Sequence, residues 1–187
     1  MILASASPRR RELLGLLGVP FSVEPAALDE SLNDGEAAAD YVQRIAREKA
    51  LAVAARNPSS PVLAADTAVV VDGQPLGKPV DADDARAMLR RLSGRSHEVM
   101  TAVVLSRPGR PLSSRLSLTR VHFAIMPETW ICAYVASGDP MDKAGAYGIQ
   151  NEAGVWIHRI DGSYTGVVGL PLFETGELLR EAGLTTA

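Results

Sequence analysis

Residues 62–72 read Val-Leu-Ala-Ala-Asp-Thr-Ala-Val-Val-Val-Asp, an apolar run of strand length with a carboxylate and a hydroxyl at its centre. A run this rich in valine and alanine fits a strand covered on both faces. Such a strand needs helices above and below it and further strands beside it, which points to an α/β architecture. The same run makes Asp66 anomalous, because an unpaired carboxylate in apolar surroundings is expensive. A metal ion, a basic side chain or a solvent-lined cleft resolves the cost, and each makes Asp66 a metal ligand or a general base. An edge of the sheet, with Asp66 simply facing water, is the alternative.

The flanking pattern supplies the other layers. Residues 1–4 predict a short apolar strand, followed by a turn and a helix opening at Ser7-Pro8, with Leu13, Leu14 and Leu17 inward and Gly18 at its end. A strand over 21–24 follows. The longest predicted helix spans 34–56, where Tyr41, Val42, Ile45, Ala46, Ala52 and Val53 keep a 3.6-residue period and Pro58 lies just beyond. Asp72-Gly73 predicts a turn. Residues 81–92 predict a second amphipathic helix on Ala85, Met88, Leu89 and Leu92, stopped by Gly94. Strands over 97–105 and 114–125, separated by the turn-rich 107–111, are expected to pair antiparallel. Pro127 opens a helix to about residue 136, a strand over 155–160 lies inside the Gly-rich stretch 145–169, and Pro171 begins a last helix ending near Gly183. The expectation is one domain over residues 1–187 with a mixed sheet flanked by helices, without internal repeats.

Nineteen lysines and arginines against 22 acidic residues give a net charge of -3, so no global positive field draws this chain to nucleic acid or acidic lipid. Aromatics, at 5%, are too few for a basic stripe with stacking platforms. Any anion must be met by local charges. The single cysteine, Cys132, has no internal disulfide partner and is expected to act as a small buried hydrophobe, which fits a reducing cytoplasm. No apolar run is long enough for a membrane span, and no signal peptide is predicted.

Local charges exist in the right company. Ser5-Ala6-Ser7-Pro8-Arg9-Arg10-Arg11 joins helix N-terminal amides to hydroxyls and guanidinium groups, a combination suited to phosphate. The alternative is that Ser7 only caps the helix and the arginines are surface charges. Residues 73–79 are not a P-loop, since three residues separate the glycines and Pro79 follows the lysine. Lys78 remains a candidate point charge for phosphate, and Lys49 lies near the apolar stripe of the long helix, from which it can reach a cleft or pack along its stem. His97, His122 and His158 lack metal-ligand spacing and read as structural.

These segments together resemble the Maf family of nucleotide pyrophosphatases along essentially the whole chain. The motifs that carry the resemblance are LASASPRRRELL (3–14), AREKA (46–50), LAADTAVVVDG (63–73), LGKP (76–79), SGRSHEVMTAV (93–103), DKAGAYGIQ (142–150) and DGSYTGVVGLPL (161–172). The resemblance implies an α/β fold with a mixed sheet, two-lobed around a central cleft and similar to the ITPase architecture, a homodimer, a cytoplasmic setting, and a link to cell-division arrest or nucleotide-pool cleaning. SPRR, ADT and DKAGAYGIQ resemble the dTTP/UTP branch. That match implies Asp66 as proton acceptor, Arg9, Thr67 and Gln150 as positions of substrate choice, and Ser7, Arg10, Lys49 and Lys78 as further polar cleft residues. Hydrolysis at an α-phosphorus also calls for a divalent cation on the phosphate oxygens, Mg²⁺ or Mn²⁺, with Asp66 and Glu30 as its carboxylates. Asn151-Glu152 and Thr165-Gly166 depart from the family pattern. A pyrophosphatase for a modified or purine nucleotide and a nucleotide-binding regulator without turnover are the competing readings.

Overall fold

The structure, a computed structural model, describes residues 1–185. Strands β1 (Ile2–Leu3), β2 (Ser22–Val23), β3 (Val62–Val71), β5 (Ser96–Ser106), β6 (Ser113–Phe123) and β7 (Ile157–Asp161) lie in the order β2-β1-β3-β5-β6-β7, and β4 (Gln74–Leu76) folds back on β3. β1 runs parallel to β2 and β3, while every other pairing is antiparallel. The helices are α1 (Pro8–Gly15), α2 (Ala38–Arg56), α3 (Ala82–Leu92), α4 (Glu128–Ala136), α5 (Tyr164–Val168) and α6 (Leu172–Glu181).

The two-residue alternation of β3 explains the layering. Val62, Ala64, Ala68 and Val70 pack beneath α2 against Val42, Ala46, Ala50 and Val53. Leu63 and Ala65 point the other way, into a cluster with Leu13, Leu14, Leu178 and Leu179 of α1 and α6. Further along the same face, Val69 and Val71 join Leu89 and Leu92 of α3 and Ile131 and Tyr134 of α4. One long strand therefore serves cores at both ends of the sheet. Each fully buried Val, Leu or Ile contributes about 1.5–3 kcal/mol relative to exposure, so these clusters fix the register of β3.

That register leaves a gap. On one side β3 pairs with β5 along nearly its whole length. On the other, β1 reaches only Val62 and Leu63, and β4 only residues 69–71. Between them, residues 64–68 have no strand neighbour on that side among the described residues. Asp66 and Thr67 sit in this gap, at once central to the sheet and locally at an edge.

Four expectations are corrected. The long helix starts at Ala38 rather than at residue 34, because Gly35 takes φ +73° and the Glu36 carboxylate instead accepts from the Asn33 amide. Cys132 is exposed: α4 turns Ile131, Tyr134 and Val135 inward, and position 132 falls off that face. Residues 152–156 form a 3-10 turn, so the last strand begins at Ile157, where pairing with β6 starts. The Gly-rich stretch 145–169 holds a short helix, α5, that the pattern did not predict, while the final helix closes near Gly183 as expected. No helix among the described residues is long and apolar enough to cross a membrane.

Candidate active site

On α2, Val42, Ile45, Ala46, Lys49, Ala50 and Val53 form one buried stripe, so Lys49 is a lysine at a core position. Asp66 shares the β3 face that α2 covers. Helix and strand periodicity thus aim the two side chains at each other, and Lys49 Nζ donates to Asp66 Oδ1 at 2.8 Å. Both are buried, at 7% and 5% exposure. The same ammonium lies 2.9 Å from Glu30 Oε2, which arrives from the irregular segment before α2. Burial pushes the Asp66 carboxyl above its ordinary range, and the charges of Lys49 and Arg10 offset only part of that.

The gap in the sheet opens into a cleft of about 870 Å³, bounded by the β1–α1 turn, the segment carrying Glu30, the β4 turn and the loop 142–151. Ser7, Arg9, Arg10, Glu30, Lys49, Asp66, Thr67, Lys78 and Gln150 all line it. Their conditions differ. Ser7 caps α1, its Oγ accepting from the Arg10 amide at 3.4 Å, and its hydroxyl makes no other hydrogen bond among the described residues, so Ser7 both caps the helix and lines the cleft. Arg9 is 3.7 Å from Asp142. Lys78 is exposed and makes no ion pair among the described residues, and Gln150 is exposed with its amide free of hydrogen bonds among them.

Arg10 is more committed than a surface phosphate ligand. Its Nε donates to the Gly169 carbonyl at 2.8 Å and its Nη2 to Thr67 Oγ1 at 3.1 Å, leaving three of its five N–H groups. Thr67 in turn lies 3.0 Å from Thr101 Oγ1 on β5, which donates to the Gly166 carbonyl at 2.8 Å. Two contributors escape a reading by residue type. Thr101 sits in an apolar strand as Asp66 does, and that anomaly was its signal. Lys143 is buried in the cleft wall, its ammonium donating to the backbone and carboxylate of Asp139 and to Asp142, so all three of its protons are spent on the loop. Behind that wall, the Tyr147 hydroxyl pairs with His97 Nε2 at 2.7 Å, and burial lowers the imidazole to about 4.

The described residues contain no group of three or more His, Cys, Asp or Glu side chains able to hold a metal unaided. Asp66 and Glu30 fit a different arrangement. Each gives one carboxylate oxygen to Lys49, and neither remaining oxygen has a hydrogen bond among the described residues. Mg²⁺ commonly takes one or two carboxylates and completes its shell with water and phosphate oxygens.

A mixed sheet interrupted over a cation-rimmed cleft, with a buried carboxylate at the interruption, defines an α/β protein built to handle an anionic ligand. Comparison places it more closely: the profile described as Maf-like protein matches residues 1–182, and the chain belongs to the Maf family. It is 55% identical to a dTTP/UTP pyrophosphatase of Methylobacillus flagellatus, over 97% of this chain and 92% of that one. It is 54% identical to a protein of the same description from Hahella chejuensis, over 98% and 92%. In fold it is similar to the structure of a HAM1 protein from Coxiella burnetii, at 17% identity and a TM-score of 0.52, covering 96% of this chain and 98% of that one.

Proposed function

We propose that this chain hydrolyses nucleoside triphosphates to the monophosphate and pyrophosphate, with dTTP and UTP as its substrates. The carrying observation is the Asp66 carboxylate, 5% exposed, held by a lysine and set at an open strand edge inside a cleft lined with cations. A hydrolase needs a proton acceptor of raised pKa beside the phosphates, and the buried Asp66 carboxylate supplies one. The names of relatives more than half identical to this chain support the same reading and the same bases.

In this mechanism Asp66 takes a proton from water as the water oxygen attacks the α-phosphorus. The bond between that phosphorus and the bridging oxygen breaks, and pyrophosphate leaves with the electron pair. Lys49 holds the carboxylate ionised and oriented. Arg9, Lys78, the remaining donors of Arg10 and the N-terminal amides of α1 bind the phosphates and the charge that builds on the leaving group. Gln150, whose amide offers both N–H donors and a carbonyl acceptor, pairs with the imide edge of uracil or thymine. Asp66 and Glu30 would hold Mg²⁺ or Mn²⁺, which when bound neutralises phosphate charge.

Lys49 gives this reading a pH signature. A general base works only when ionised, so the acid limb of kcat/KM falls where Asp66 gains its proton. Lys49 lowers that pKa, so Lys49→Met moves the acid limb to higher pH. An unmoved limb in the pH profile of the variant would detach Asp66 from the proton transfer.

The substrate assignment is tested by pyrophosphate release from canonical and modified triphosphates, with Mg²⁺, with Mn²⁺ and with chelator. Cation-dependent release from dTTP and UTP is the expected result. Release chiefly from a purine or modified nucleotide would remove the base pairing assigned to Gln150. Binding without any release would leave a regulator rather than an enzyme.

A further inference from the structure

The hydroxyls on the far face of β3 form a chain whose direction can be assigned. A carbonyl oxygen only accepts, so the single proton of Thr101 Oγ1 goes to Gly166. At the 3.0 Å contact between the threonines, Thr67 must then be the donor. A guanidinium only donates, so Arg10 Nη2 occupies one lone pair of Thr67 Oγ1. The Thr67 hydroxyl has spent its proton and one lone pair, and a single acceptor site remains. Thr67 is half-buried in the cleft wall, whereas Thr101 is 1% exposed and does not reach the cleft.

We infer that Thr101 is a positioning residue that fixes the Thr67 hydroxyl as an acceptor only, so that the part of the nucleotide lying against Thr67 is a hydrogen-bond donor. Phosphate oxygens, which only accept, are turned away from this point. They are met instead by Arg9, Lys78 and the free donors of Arg10. Two parts of a uridine nucleotide carry a suitable donor: the imide N–H of the base and the hydroxyls of the sugar. Cytosine offers a lone pair where uracil offers the imide N–H, so an acceptor-only Thr67 rejects it. The chain also explains why Arg10 is anchored at Gly169 as well as at Thr67: the Gly169 contact holds the guanidinium in the orientation that occupies the threonine lone pair. The inference rests on the nucleotide reading and adds a claim about which chemical groups the cleft discriminates.

The test compares kcat/KM for UTP, CTP and 2′,3′-dideoxyuridine triphosphate in the wild type, Thr101→Val and Thr101→Ser. Valine keeps the shape of threonine but leaves the Thr67 proton without its acceptor, free to turn toward the ligand. If the imide lies against Thr67, the UTP-to-CTP ratio falls about tenfold in Thr101→Val, mainly through KM, and Thr101→Ser restores it. If a sugar hydroxyl lies there, the ratio of UTP to the dideoxy analogue falls instead. Unchanged ratios for both pairs in a folded Thr101→Val protein would overturn the inference. Should that variant fail to fold, Thr67→Val, which deletes the acceptor itself, must lower one of the two ratios, and failure to do so overturns the inference equally. Calorimetric binding of UMP, CMP and 2′,3′-dideoxyuridine monophosphate, each with Mg²⁺, makes both comparisons without turnover. A wild type inactive on every triphosphate therefore sinks the hydrolytic reading, while affinity ratios of UMP to CMP and of UMP to 2′,3′-dideoxyuridine monophosphate that both stay unmoved in Thr101→Val and in Thr67→Val would sink this one.

Discussion

Asp66→Asn lowers kcat/KM for the preferred triphosphate by about 10²–10⁴-fold, the span usual for loss of a positioned general base, and leaves the melting temperature at neutral pH unchanged or raised. The second half follows from linkage. Burial places the native pKa of Asp66 above its ordinary value. The native state therefore holds this proton more tightly than the unfolded chain, whose Asp titrates near 3.9. The contribution to stability is present below that pH and is lost as pH rises through the native value. At pH 7 the ionised carboxylate is a net burden on the fold, borne for chemistry. Asparagine removes the charge, keeps the shape and still offers Lys49 an acceptor, with Glu30 remaining as its counter-ion. Kinetics read beside a thermal melt check both halves. Activity and melting temperature falling together would make Asp66 a structural partner of Lys49 and no more.

Gly145→Ala is expected to destabilise the fold strongly. Gly145 takes φ +70°, and an added Cβ would stand 2.8 Å from Val69 Cγ1 and 3.0 Å from Val69 Cβ, on the central strand itself. A left-handed alanine costs about 1–2 kcal/mol and overpacking a core contact about 1–3 more. For a chain of this size a loss of roughly 2–5 kcal/mol lowers the melting temperature by about 4–20 °C. The Gly145 amide also donates to the Gly77 carbonyl at 3.0 Å, tying the loop that bears Gln150 to the turn that bears Lys78. KM should therefore rise in whatever fraction stays folded. Gly109→Ala is the control: its φ is +64°, but nothing lies within 4 Å of the added carbon. Equal destabilisation in the two variants would show that backbone conformation alone matters and that the approach to Val69 does not.

The centre of the site was legible in the sequence because two local periodicities define it. The 3.6-residue stripe of α2 puts Lys49 on the buried face, and the two-residue alternation of β3 puts Asp66 on the face that meets it. The capping serine and the arginines of α1 were legible for the same reason, since helix starts carry local signals. What was not legible depends on pairing between distant segments. The gap over residues 64–68 exists because β1 and β4 each stop short on the same edge of β3, and no window of sequence contains both registers. Glu30 comes from a stretch with no periodicity, and only the folded chain brings it to Lys49. Asp139 and Lys143 lie in a loop whose order comes from side-chain hydrogen bonds, including Tyr134 and Asn151 donating to Asp139 at 2.6 Å each. Arg10 was expected to face phosphate, and half of that expectation was hidden: its partners Thr67 and Gly169 lie 57 and 159 residues away. The family resemblance reached further than the periodicities, because it carries the outcome of such distant pairings in its motifs.

The position of bond cleavage tests the central claim most directly. Phosphorus NMR of UTP incubated with the full chain and Mg²⁺ is predicted to show UMP and pyrophosphate appearing together in equal amounts, with no UDP at early times. UDP and orthophosphate as the first products would place the attack at the terminal phosphorus and contradict the arrangement of Asp66 and the phosphate-binding groups described above.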